Sequence, residues 1–69
     1  MKETINVKLI NDYITINNLT KKQFANLCHI SVYMLCKILN GYENFDIKYL
    51  FRIAKVLNVH IHEMFTKKG

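Results

Sequence analysis

The chain has 69 residues, 51% of them hydrophobic, which allows one domain with one shared core and excludes a second. With no proline and only two glycines it falls outside the disordered and low-complexity classes and favours helices joined by short turns. A net charge of +5, from ten Lys and Arg against five Asp and Glu, makes a polyanion the first partner class to consider.

No stretch approaches the roughly 20 apolar residues of a membrane span. Met1-Lys2-Glu3 is not followed by a signal-type apolar core, so the expectation is a cytosolic protein with Cys28 and Cys36 as reduced thiols. The polar ends, Met1 to Thr4 and Thr66 to Gly69, are expected to fray around an ordered domain of about residues 5–65.

From about Asn6 to Asn17 the positions Val7, Leu9, Ile10, Tyr13, Ile14 and Ile16 cover nearly half of a helical wheel, predicting a first helix. The alternation Ile5, Val7, Leu9 also fits a strand, but a lone strand in a helical chain has no pairing partner, so the helix is preferred. Asn17-Asn18 supplies its stop, since Asn tolerates the left-handed conformation that ends helices.

Thr20 then caps a second helix, and Gln23 three residues on completes a capping box. Phe24, Ala25, Leu27 and Cys28 form its expected buried side. Lys21 and Lys22 sit in its first turn, where cations oppose the helix dipole; an anion bound there would relieve the conflict and accept the free N–H groups.

His29-Ile30 is a tight turn, Ser31 caps a third helix, and Asn40-Gly41 ends it. Wound at 3.6 residues per turn, the third helix places Met34, Leu35, Ile38 and Leu39 on one stripe and Val32, Tyr33, Cys36, Lys37 and Asn40 on the other. One stripe belongs to a core and the other is free for a partner.

After a loop at Tyr42 to Phe45, Asp46 can cap a fourth helix to about Leu57. Ile47, Leu50, Phe51, Ala54 and Leu57 are its expected core stripe, widened by Tyr49, Ile53 and Val56, with Lys48, Arg52 and Lys55 opposite. Asn58 stops it, and His60 to Phe65 makes a last short helix with Glu63 at capping-box spacing from His60.

There is no Gly-rich phosphate loop, no carboxylate pair at catalytic spacing and no nucleophile with an identifiable base, so no enzyme is expected. His60-x-His62 with Cys28 and Cys36 matches no compact zinc module, so neither a metal nor a cofactor is expected. Cys36, on the exposed stripe, would permit a thiol switch.

The residues Leu19-Thr20, Phe24-Ala25, Ile30-Ser31, Leu35, Ile38 and Asn40-Gly41, continued by Ile47, Leu50-Phe51, Ile53-Ala54, Leu57, Val59, Ile61 and Glu63-Met64-Phe65, follow one pattern. In this combination the chain resembles the lambda-repressor-like and Cro-like (XRE-type) helix-turn-helix family. The resemblance implies an all-α, compact five-helix domain with the helix-turn-helix at its second and third helices. Lys21 stands where many members have glutamine, His29 where the turn commonly has glycine, Ile14 where arginine is common and Leu39 where glutamate is common.

The resemblance further implies a small transcriptional regulator, a repressor acting as a homodimer, whose third helix (Ser31 to Asn40) lies in the major groove of duplex DNA. Val32, Tyr33, Cys36 and Lys37 are the expected base contacts, with a preference for thymine methyls at Val32 and Tyr33. Thr20, Lys21, Lys22, Ser31, Asn40 and Lys48 are the expected backbone contacts, whereas Arg52 and Lys55 belong to a solvated face. Glu43 lies in a loop expected near phosphate, which it would repel. Ile61, Met64 and Phe65 are the expected dimer interface, and neither a small-molecule ligand nor a membrane is implied. The alternative is a helix-turn-helix scaffold that binds protein, such as an antitoxin or regulatory partner, with Val32 and Tyr33 against that chain.

Overall fold

The computed structural model describes residues 2–42 and 44–68; Glu43 and the expectation attached to it lie outside them. The element order is β1 (Lys2–Ile5), α1 (Val7–Ile16), α2 (Lys21–Cys28), α3 (Val32–Leu39), α4 (Lys48–Leu57), a 3-10 turn (Ile61–Met64) and β2 (Phe65–Lys68). The domain is thus mostly helical, with four α-helices rather than five: the last expected helix is a single 3-10 turn.

The ends are the second correction. β1 pairs antiparallel with β2, placing Ile5 opposite Phe65 and Thr4 opposite Thr66, whose hydroxyls lie 3.1 Å apart. The Asn6 N–H continues the clasp by donating to the Met64 carbonyl at 2.7 Å. The strand at Ile5 has its partner after all, at the far end of the chain, and the helix begins immediately afterwards with the Asn6 side chain accepting from Leu9 N–H.

All four helices stop by one device. In each, a left-handed residue follows the last turn, and two N–H groups fold back onto the last carbonyls in a 6→1 and a 5→2 bond, the Schellman arrangement. The left-handed residues are Asn18, His29, Gly41 and Asn58. The residue after each makes the 6→1 bond: Leu19 to Ile14, Ile30 to Ala25, Tyr42 to Lys37 and Val59 to Ala54, at 2.9 to 3.1 Å. Asn and Gly reach this conformation at low cost; His29, at φ 57°, carries the strain of a side chain in the left-handed region.

The helix starts are equally local. Thr20 Oγ1 accepts from Gln23 N–H at 3.0 Å while Gln23 Oε1 accepts from Thr20 N–H at 2.8 Å, and Ser31 Oγ accepts from Met34 N–H at 3.0 Å. Asp46 Oδ1 accepts from Lys48 N–H at 3.0 Å just ahead of α4, but the N-cap position is Ile47, which makes no side-chain capping bond.

The core is built from Ile10 of α1, Phe24, Ala25 and Cys28 of α2, Ile30 of the turn, Leu35 and Ile38 of α3, Leu50, Ile53 and Ala54 of α4, and Met64. Tyr13 joins α1 to it through its ring, 5.6 Å from that of Phe24. Three residues assigned to the core by periodicity lie outside it: Leu27, Ile47 and Phe51 are 49%, 51% and 52% exposed. On α4 the inward row is Leu50, Ile53, Ala54 and Leu57, the i, i+3, i+4, i+7 set, and Ile53 occupies the centre. Ile47 and Phe51, expected in the stripe, lie on its flank, and Ile53, expected only to widen it, is central; helix amphipathicity alone does not settle the phase when both flanks carry apolar residues.

The strain at His29 gives the first test. His29→Gly should raise the unfolding free energy by about 0.5 to 1 kcal/mol, and the melting temperature by a few degrees, because the gain from removing the strained Cβ exceeds glycine's added entropy loss. Thermal unfolding by circular dichroism measures it; an equal or lower midpoint would show that the turn is not strained.

Candidate nucleic-acid interface

At the start of α2 Thr20 accepts from Gln23 N–H through its hydroxyl and from Phe24 N–H through its carbonyl, while the N–H groups of Lys21 and Lys22 find no acceptor among the described residues. An unsatisfied helix start flanked by two lysine side chains is a place where an oxyanion binds. Thr20 and Ser31 use their hydroxyl oxygens as acceptors in capping, which leaves each hydroxyl proton free to donate outward.

On α3 the observed faces match those the periodicity predicts. Leu35 and Ile38 are fully buried, with Met34 and Leu39 packed beside them. Val32 and Tyr33 are 41% and 69% exposed at the helix start, Cys36 and Lys37 are half-buried, and Asn40 is exposed. An exposed valine and tyrosine at a helix start, neither of them among the described residues packed in or against the core, are side chains available to another molecule.

Lys37 is not simply solvated. Its Nζ lies 5.0 Å from the centroid of the Tyr33 ring, one turn earlier, and 4.1 Å from that of Tyr42, just beyond the helix. A cation over two aromatic faces is attracted by both ring quadrupoles. Tyr42 was absent from the expected site residues, although its position after Gly41 carries the signal, since the Schellman arrangement brings that residue back over the one five before it. Lys48 stands at the start of α4 with its ammonium 5.6 Å from the Tyr49 ring.

Arg52 has a role that the sequence did not show. Its Nη1 donates to the His29 carbonyl at 2.9 Å, and its guanidinium lies 5.9 Å from the Tyr49 ring. The expected solvated face therefore includes a tether from α4 to the strained turn between α2 and α3. Beside it, Leu27, Cys28, His29, Arg52 and Lys55 line an open cleft of about 400 Å³. Burial pushes the Cys28 thiol up to about 11, so it stays protonated and unreactive at neutral pH.

The expected dimer residues fare differently. Met64 is fully buried beneath α4 and cannot serve an interface, because the 3-10 turn points it inward as a core member. Ile61 and Phe65 are half-buried against the same core, and Phe65 pairs with Ile5 in the sheet. Besides Val32, Tyr33 and Tyr42, the large apolar residues left exposed among the described residues are Ile16, Leu27, Ile47 and Phe51.

A capped helix, a left-handed turn held by an arginine and a second capped helix with an open side-chain face define a helix-turn-helix protein. The helix-turn-helix family model of Cro type (XRE-like) matches residues 12–64, and the chain belongs to that family of DNA-binding regulators. A search of curated proteins found no match. Among the described residues no helix is long and apolar enough to cross a membrane.

The tether is testable. Arg52→Ala should lower stability by about 1 kcal/mol, a charged hydrogen bond discounted for its exposure, and the midpoint by several degrees. Arg52→Lys should restore only part of this, having no planar fork to reach the carbonyl. A midpoint unchanged in Arg52→Ala would mean that the turn is held without it.

Proposed function

We propose that the chain is a sequence-specific duplex-DNA-binding transcriptional regulator, a repressor acting as a homodimer, with α3 in the major groove. The observation that carries this reading is the outer face of α3, where Val32, Tyr33 and Lys37 are presented together by a helix whose other face is locked in the core. Val32 and the Tyr33 ring offer apolar contact suited to thymine methyls, and Lys37 offers a cation for guanine O6 and N7. Cys36, half-buried between them, is small enough for close approach.

In this reading Thr20, Lys21, Lys22, Ser31, Asn40 and Lys48 hold the phosphates on either side, and α2 lies across the backbone. A single domain of this size makes few contacts, so a two-fold mate and half-sites about 34 to 36 Å apart supply the remainder. Among the described residues Ile47 and Phe51 of α4 are exposed apolar candidates for that contact, in place of Met64.

The alternative of a protein-binding scaffold shares the exposed Val32 and Tyr33 and differs in its response to salt. Binding to duplex DNA should weaken steeply between 50 and 200 mM salt, as expected for several phosphate contacts. On a duplex chosen by selection from random sequence, Lys37→Ala should weaken binding by about tenfold and Tyr33→Ala should change the preferred bases. Fluorescence anisotropy reads both; wild-type behaviour from the two variants removes α3 from the interface, and salt-insensitive association without DNA binding favours the protein partner.

A further inference from the structure

Of the four residues that close the helix ends, three are aliphatic and turn inward: Leu19, Ile30 and Val59 all pack in or against the core. Tyr42 is the exception. It makes the same 6→1 bond, from its N–H to the Lys37 carbonyl at 3.0 Å, yet it is 37% exposed and its ring covers a lysine ammonium instead of the core. The backbone is held in place for this by Gly41, whose φ of 90° is a conformation that residues with a Cβ rarely adopt. A Cβ at Gly41 would meet nothing within 4 Å, so the backbone angle and not space accounts for glycine there.

A lysine has four rotatable side-chain bonds and loses much of that freedom on binding. Lys37 has already lost part of it, because its Nζ sits 4.1 Å from the Tyr42 ring and 5.0 Å from the Tyr33 ring. Both rings arise from the partner face of α3 or its end, so the ammonium is kept along that face rather than swinging toward a flanking phosphate. The distinction matters for specificity, since a lysine on a phosphate reads no sequence whereas one on guanine O6 and N7 does.

We propose that Tyr42 is a positioning residue for base recognition: with Tyr33 it holds the Lys37 ammonium on the groove-facing side of α3, so that Lys37 selects a guanine in the same half-site as the thymines met by Val32 and Tyr33. This rests on the DNA-binding reading given above. Tyr42 itself acts through Lys37, and its ring face rather than its hydroxyl carries the effect.

The test compares the full-length wild type with Tyr42→Phe, which keeps the ring face, and Tyr42→Leu, which keeps bulk without it. Without DNA, NMR of the labelled protein should show ring-current upfield shifts at the Lys37 Cε protons in the wild type and in Tyr42→Phe, reduced in Tyr42→Leu. With DNA, Tyr42→Leu should bind the selected duplex about fivefold more weakly than wild type, the scale of one cation–π contact. It should bind a duplex whose guanines are replaced by adenine as the wild type does, with Tyr42→Phe restoring the guanine preference and the salt slope the same throughout. Lys37 shifts that ignore Tyr42→Leu would overturn the proposal, as would equal weakening on both duplexes. If the wild type shows the ring-current shifts but binds no duplex, the DNA-binding reading fails instead, and the Tyr42–Lys37 contact stands without it.

Discussion

The turn between α2 and α3 is held by a histidine in the left-handed region, and the direction in which α3 leaves the core follows from it. His29 at φ 57° reverses the chain after Cys28, Ile30 drops into the core immediately after, and Ser31 starts the next helix. With so few residues between two capped helices, this reversal lets Phe24, Ala25 and Cys28 share a core with Leu35 and Ile38. Arg52 adds a restraint from outside by bonding the His29 carbonyl. The outer face of α3 is therefore fixed by what its inner face packs against, and the presentation of Val32, Tyr33 and Lys37 is a consequence of core packing.

The same reversal recurs at Asn18, Gly41 and Asn58, and it explains which parts of the structure can be read from the chain. Caps and stops are set by residues within five positions of each other, so Thr20 with Gln23, Ser31, Asn17-Asn18, Asn40-Gly41 and Asn58 all announce themselves, whereas at His29 only the resemblance, which has glycine in the turn, points to a left-handed residue. The two-stranded sheet does not, because Ile5 meets Phe65 across almost the whole chain and neither short strand has a pattern of its own. Arg52 on His29 fails for the same reason, being 23 residues away. The phase of α4 is not fixed by sequence because Ile47 and Phe51 compete with Ile53 for the inward row, and its packing against α2 and the 3-10 turn decides. At the candidate site the exposed α3 residues were legible from period alone. Met64 was not, since a single 3-10 turn has too few residues for periodicity to say which way they point.

The chemistry of the presented face is unusual in its balance. Two tyrosines, a valine and one lysine make it largely apolar and aromatic, with Lys21, Lys22 and Lys48 beyond it at the starts of α2 and α4. Under the DNA-binding reading proposed above, such a face would gain from thymine methyls and from shape more than from charge, and the lysine cradled between rings would be its one cation placed to read bases. The exposed Ile47 and Phe51 lie outside this face.

The account is tested most directly by titrating the isotopically labelled full chain with a duplex selected from random sequence and following its amide and side-chain resonances. The largest changes are expected at Lys21 and Lys22, at Ser31 to Lys37 and at Tyr42, with β1, β2 and the C-terminal half of α4 little affected. Changes confined to α4 and the sheet, with the α3 resonances unmoved at saturation, would contradict it.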